Sequence, residues 1–297
     1  MEKHYIVGYY IFFGDLTMSL KISIFSDNYV SMKSRDCWAQ HGLGLFLEAK
    51  FEDLQLNIIF DAGPSINIVK HNLDILNLNL NRVNAIIISH GHHDHTGGLI
   101  EVIRRIGKRI PVIAHPKTFS HRFAKRDLRV VGVPFNQKEV EEVGGIIVSC
   151  RNDFDLANRI FVIGEIDRIN DFEKVEGYLI EEDGKLIDDD IIDDRAILIK
   201  FDDGHILITG CAHSGLINTI YYAINNYNVK RFKAIIGGFH LENASHERIS
   251  KTLNELKRLD FQCIVPMHCT GIKMISALIN SFSDRIKIVS VGESLEF

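Results

Sequence analysis

An excess of basic charge, long apolar runs and paired cysteines are all missing from this chain. Lys and Arg number 34 against 39 Asp and Glu, a formal net charge of -5 over 297 residues. That balance offers no basic footprint for nucleic acid, which is held through clustered positive charge. It still permits an anionic small-molecule substrate, because a bound metal supplies local positive charge. No apolar stretch is long enough to span a bilayer, so no membrane partner is expected. The five cysteines, Cys37, Cys150, Cys211, Cys263 and Cys269, are odd in number, widely spaced and without a CxxC pair. A disulfide framework is therefore not expected, and a reducing, cytoplasmic setting is. The apolar patch from Tyr5 to Phe13 lacks a basic flank and a small-residue cleavage site, which argues against a signal peptide. Residues 1–17 read as an upstream extension, with Met18 a candidate start. No Pro/Gly-rich or low-complexity linker divides residues 18–297, which are expected to form one domain. The oligomeric state is not legible at this level.

What is present is an ordinary globular balance, 46% apolar and 25% charged, arranged in a recurring unit. A short β-branched run leads into a polar loop and then into an amphipathic helical pattern. Ala85-Ile86-Ile87-Ile88-Ser89 runs into His90, with a helix expected over 96–106. His205-Ile206-Leu207-Ile208-Thr209 runs into Gly210-Cys211-Ala212-His213, with a helix over 216–226. Lys233 to Gly238 runs into Phe239-His240, with a helix over 245–259. Gln262 to Met267 runs into His268-Cys269-Thr270, with a helix over 271–282. Earlier, residues 20–25, 43–50 and 55–60 read as an antiparallel meander. Further short strands are expected at 111–114, 145–149, 159–162, 178–181 and 196–201. Strands first, then strand–helix alternation, predict an α/β fold in four layers, an αββα sandwich of two mixed β-sheets. In the acidic stretch from Asp188 to Asp194, the first three aspartates are expected to face water.

Of fourteen histidines, seven (His90, His92, His93, His95, His213, His240 and His268) stand at the ends of those four apolar strands. Ligand sites of α/β sheets gather beyond the carboxyl ends of strands, so together they point to a metal site. In His90-x-His92-x-Asp94-His95, side chains two apart on an extended strand face the same way, letting His90 and His92 share one ion. Asp94 and His95 lie one loop step further, placed for a second. Imidazole and carboxylate suit Zn, with Fe or Mn as alternatives. Two ions about 3.5–4 Å apart would activate water and clamp a phosphoryl or carbonyl oxygen. By the same alternation His93 points elsewhere and reads as structural.

The run from His90 to Gly98 resembles the HxHxDH signature of the metallo-β-lactamase superfamily. Phe60-Asp61-Ala62-Gly63 resembles its earlier strand-end Asp-x-Gly, and Pro266-Met267-His268-Cys269 its late histidine motif. The resemblance covers roughly residues 20 to 297. Ser26-Asp27-Asn28, Gln40-His41-Gly42-Leu43, Asp193-Asp194-Arg195-Ala196 and Thr209 to Gly215 are similar to one branch, the bacterial and archaeal metal-dependent hydrolases. So are Ile236 to Leu241 and Pro266 to Gly271. That branch includes an archaeal synthase that joins a dihydropterin methyl diphosphate to ribofuranosylaminobenzene 5'-phosphate and releases diphosphate. The resemblance implies one or two divalent ions held by His90, His92, Asp94, His95, His213 and His268, with Asp61 supporting them from behind. It departs from the general pattern in two places. No histidine occurs between His121 and His205, so His213 is assigned to the first ion. Cys211 stands where a bridging aspartate belongs, either as a thiolate ligand or as a small buried residue, and one-metal occupancy stays open.

Asp94 and His240 are the candidate catalytic groups, His240 as general acid or substrate contact. His41, Asp27 and Asn28 are candidates for contact with the substrate or the ligand shell, and His115 reads as a loop residue. Lys117, Arg122, Lys125, Arg126 and Arg129 form a local basic cluster, either a solvated helix face or a seat for an anionic substrate. Hydrolase-type chemistry on a phosphorylated or ester small molecule is the leading expectation. Pterin-coupling transfer and a non-catalytic metal- or ligand-binding role stand beside it.

Overall fold

A strand covered on both faces must be apolar on both, so it reads as an unbroken β-branched run. Ala85 to Ile88 is such a run: Ala85 and Ile87 pack on one side, Ile86 and Ile88 on the other. In the computed structural model, residues 18–51, 54–157 and 159–297 are described; the expected extension over 1–17 lies outside them. Along the chain run β1 (Ser19–Ser26), β2 (Gly44–Phe51), β3 (Leu54–Phe60), α1 (Ile66–Leu76), β4 (Ala85–Ile87), α2 (His93–Thr96) and α3 (Leu99–Ile106). They are followed by β5 (Ile110–Ala114), β6 (Arg122–Ala124), α4 (Gln137–Glu142), β7 (Gly145–Ser149), β8 (Phe154–Asp155) and β9 (Ile160–Ile163). Next come β10 (Tyr178–Glu182), β11 (Lys185–Asp188), β12 (Ala196–Phe201), β13 (Gly204–Thr209), α5 (Leu216–Tyr227) and β14 (Phe232–Gly238). The chain closes with α6 (His246–Leu256), β15 (Phe261–Met267), α7 (Ile272–Phe282) and β16 (Ser294–Glu296).

These strands form two large mixed sheets, as the alternating pattern predicts. The first has the order β16-β1-β2-β3-β4-β5-β7, the second β15-β14-β13-β12-β9-β8. The expected meander is present as antiparallel β1, β2 and β3. From β3 onward through β4, β5 and β7 the first sheet is parallel, as are β13, β14 and β15 in the second. Ile22, Leu45, Ile58 and Ile87 of one sheet meet Ile197, Ile199, Ile208 and Ile236 of the other in a shared core. The outer face of the second sheet is covered by α5, α6 and α7 through Leu216, Ile220, Leu256 and Leu278. The first is covered by α1 and α3 through Val69, Leu73, Leu99 and Ile103. The result is the four-layer αββα sandwich. The helix expected over 96–106 is divided into α2 and α3. A Cβ on Gly97 would stand 2.0 Å from the Pro64 carbonyl oxygen, so the chain must pass there without a side chain.

A third sheet, with the order β11-β10-β6, was not expected. It is docked through an internal ion-pair network that corrects two sequence readings. Arg122 is not part of a solvated helix face. It is 0% exposed, donating from Nε to Asp189 (2.7 Å) and from Nη2 to Asp193 (2.6 Å). Of the three aspartates expected to face water, Asp188 and Asp190 do, but Asp189 is buried against Arg122. The rest of the basic cluster disperses: Lys117 pairs with Glu182, Lys125 with Asp188, and Arg126 and Arg129 lie beside Asp127. His115 sits in the loop after β5 as expected, yet it is buried, with Nε2 2.9 Å from Glu165.

Removing one partner of a buried ion pair strands the other charge. Arg122→Ala is therefore expected to lower the unfolding free energy by about 3–5 kcal/mol, measured by urea denaturation. A loss indistinguishable from that of an exposed Lys125→Ala control would contradict the network's role.

Candidate metal centre

The site lies where the parallel strands of both sheets end. β4 continues through Ile88 and Ser89 into His90. A Cβ on the next residue, Gly91, would lie 1.9 Å from the Thr118 carbonyl oxygen, so the second position of the histidine run must carry no side chain. The Gly91 N–H donates to Asp193 Oδ2 (2.8 Å), the same carboxylate that takes Arg122. β13 delivers Cys211 and His213, β14 delivers His240, and β15 delivers His268 and Cys269. His240 and His268 have φ of 48° and 47°, which turns each strand end sharply toward the centre.

Each of several donors is aimed by a second group. Asp61 is fully buried and accepts from the Ser89 N–H (2.7 Å) and the Ser89 hydroxyl (2.7 Å), while His95 Nδ1 lies 2.6 Å away. Ser89 Oγ also lies 2.9 Å from His90 Nδ1. These contacts occupy the Nδ1 side of both rings and leave Nε2 to face the centre. His268 repeats the device: its Nδ1 is 2.9 Å from Asn28 Oδ1, and its backbone N–H donates to Asp27 Oδ1 (2.8 Å). Asn28 Nδ2 also meets His41 Nδ1 at 3.2 Å. Thus Asp61, Asp27 and Asn28 all lie immediately behind candidate ligands.

The facing atoms form tight sets. Among the described residues, donor atoms mutually within 4.8 Å are those of His90, His92 and His213; of His90, His95 and Cys211; and of Cys211, His268 and Cys269. Two more sets are Cys211, His213 and His240, and His41, Asp94 and His268. Asp94 Oδ2 lies 3.3 Å from His268 Nε2, 3.3 Å from His41 Nε2 and 3.6 Å from His95 Nε2. The sequence-predicted donors are therefore brought together, and His240 stands within ligand reach as well as at the cavity wall. His93 does not join a set: its Nδ1 is 3.2 Å from the Val131 carbonyl oxygen, although its side chain borders the cavity.

Chemistry and spacing both suit a divalent metal. Both ring nitrogens of His213 are buried without a hydrogen-bond partner, so an ion taken by either would satisfy one of them, and an unsatisfied buried polar atom costs about 1–3 kcal/mol. His90 Nε2 and His92 Nδ1 stand 3.1 Å apart, close to the ~3.3 Å expected of two imidazoles on one tetrahedral zinc. Burial holds His90, His92 and His213 well below the usual imidazole range, in the neutral form that ligates. Burial also pushes the His95 imidazolium down, but the Asp61 and Asp94 carboxylates outweigh it and raise the group to about 9. Asp94 is held well below the carboxylate range because the surrounding histidines outweigh its desolvation.

The centre floors a cavity of about 750 Å³. Its lining also includes Arg129, Lys174 and Arg248, with Glu176 and Glu242 among them. Arg248 Nε is buried and unpartnered. Tyr178, from the third sheet, packs its ring 4.8 Å from His92 and 5.5 Å from His213. Burial, reinforced by Cys211 and Asp94, pushes its phenol up, so it keeps its proton. Sequence reasoning missed Cys269, Tyr178, Lys174 and Arg248. Only Cys269 carried a local signal, its place beside His268 in a strand-end motif.

Comparison with known proteins fits this architecture. The profile described as the metallo-beta-lactamase superfamily matches residues 55–268. The chain is 32% identical to the 7,8-dihydropterin-6-methyl-4-(beta-D-ribofuranosyl)-aminobenzene-5'-phosphate synthase of Methanocaldococcus jannaschii, covering 94% of this chain and 97% of that one. It is 33% identical to an uncharacterized protein of the same organism, covering 88% and 95%. Among solved structures, Tm1679, a metal-dependent hydrolase of the beta-lactamase superfamily, superposes with a TM-score of 0.80 at 22% identity, covering 94% of this chain and 99% of that one. Yeast PDE1 superposes with a TM-score of 0.57 at 12% identity, covering 95% and 100%. At such identities these two structures speak for the fold alone.

Groups that orient ligands from behind are worth about 10–100-fold in metal affinity. Asp61→Asn is expected to weaken zinc binding by that factor while the fold is kept, read by competition with a chromophoric chelator. Unchanged affinity would remove Asp61 from this role.

Proposed function

Because this chain belongs to the metallo-beta-lactamase superfamily, we propose that it is a metal-dependent enzyme performing hydrolase-type chemistry on a phosphorylated or ester small molecule. One observation carries the reading: a single cavity joins the buried donor cluster to three cationic side chains, Arg129, Lys174 and Arg248. A substrate held there would present its reacting group to the cluster and an anionic group to the cations.

His90, His92 and His213 would hold one ion, and Asp94, His95, His268 and Cys211 a second. When bound, such ions would supply Lewis acidity and activate water. The protein's own groups set the geometry. Asp94 reaches toward His41, His95 and His268, and from the cavity lining it would orient an attacking water. His240, half-buried at the cavity wall, is placed to pass a proton to the leaving group. Tyr178 keeps its proton and closes the side of the cluster facing the third sheet. Arg248, already partly desolvated, would bind an anionic group through a charge-assisted hydrogen bond.

A second reading is pterin-coupling transfer with release of diphosphate. Similarity to the synthase over nearly the whole of both chains favours it.

Zinc-, iron- or manganese-loaded protein should be assayed with phosphodiesters, thioesters and the two pterin-pathway substrates. His92→Ala is expected to lose both metal and turnover; retention of both would overturn the site. Arg248→Ala is expected to raise KM for a phosphorylated substrate by roughly tenfold to a hundredfold with kcat kept. An unchanged KM would remove the cationic wall from substrate binding.

A further inference from the structure

The cluster holds two sulfur atoms, from strands that are not adjacent: β13 and β15 are separated by β14. Cys211 follows β13 and Cys269 follows β15, both buried, with their sulfurs 3.2 Å apart. Cys211 Sγ is 3.1 Å from His95 Nε2 and belongs to three of the five donor sets, one of which also contains Cys269 and His268. Both residues border the cavity. The chain leaves room for the second sulfur: a Cβ on Gly238 would lie 2.8 Å from Cys269 Sγ. The His240 backbone N–H donates to that sulfur (3.3 Å), as suits a thiolate acceptor.

Charge points the same way. Asp94 is the sole carboxylate in the five sets among the described residues. Neutral imidazoles with Asp94, and Asp61 behind His95, would still leave part of the charge of two buried divalent ions uncompensated, and burying net charge is costly. Two thiolates would supply most of the missing negative charge at the place where a bridging carboxylate is absent.

We propose that Cys269 is a metal ligand and that, with Cys211 between the two ion positions, it forms a two-thiolate clamp selecting a thiophilic ion. The proposal rests on the metal-centre part of the functional reading and not on any substrate. Thiolates favour zinc, and iron in its softer bonding, over manganese or magnesium. A manganese-selective centre would need more oxygen ligands than the one carboxylate these sets provide.

Cobalt(II) loading of the full chain tests this without turnover. Sulfur bound to cobalt gives a near-ultraviolet charge-transfer band, which nitrogen and oxygen ligands do not. The wild type is expected to show the band, and Cys211→Ser or Cys269→Ser each to reduce it by roughly half. Cys263→Ser, a buried cysteine in the core between the sheets, is expected to leave it unchanged. A full band in Cys269→Ser overturns the assignment. Cobalt bound without a band in the wild type overturns both thiolates but leaves the metal centre standing. Failure to bind cobalt overturns the metal reading itself. Should the serine variants not fold, X-ray absorption of the zinc-loaded wild type decides. Sulfur neighbours at about 2.3 Å support the clamp, and a shell of nitrogen and oxygen alone refutes it.

Discussion

The carboxylate of Asp193 holds the three sheets to one another at the point where the donor run begins. One oxygen accepts from Arg122 in the third sheet, the other from the Gly91 N–H just past the first sheet's β4. Three residues further on the chain enters β12 of the second sheet, and the Arg195 N–H closes the junction by donating to the Ser89 carbonyl oxygen (2.9 Å). The Asp193 carboxylate is 0% exposed, so the bonds from Arg122 and the Gly91 N–H offset the cost of burying it. The direction taken by the chain from His90 to His95 follows from this junction.

Behind the donors, a second tier of groups settles which ring nitrogen faces inward. Asp61 and Ser89 do so for His95 and His90, Asn28 for His268. The groups come from the ends of β3, β4 and β1, so the meander is not merely half of the core. It brings oxygen acceptors behind histidines delivered by both sheets. In exchange the protein keeps several unsatisfied imidazole nitrogens buried, which makes the centre a local source of instability that a ligand binding only the folded state would offset.

Much of this was legible in the chain because it is local. His90, His92, Asp94 and His95 lie within six residues, and the strands ending in His213, His240 and His268 announce themselves by unbroken apolar runs. What escaped was set by contacts between distant segments. Arg122 meets Asp193, 71 positions later. Neither looks buried from its neighbours, since a block of aspartates and a run of basic residues each read as solvated. Tyr178 and Arg248 reach the cavity only because the third sheet and α6 are packed over it, and no period in the sequence encodes that. The need for a bare backbone at Gly97 escaped for the same reason, since the close approach of Pro64 comes from another loop.

The third sheet has a consequence for how such a molecule can change. Between His115 and Asp190 the chain contributes to none of the five donor sets among the described residues, yet it supplies Arg129, Lys174 and Tyr178 to the cavity. β11, at its edge, is exposed along its whole length. The donor sets and these three cavity residues therefore lie on different stretches of one chain, with Arg122 and its two aspartates among the contacts that join them. Residues along β11 can therefore be exchanged at the surface of the third sheet without touching any of the five donor sets.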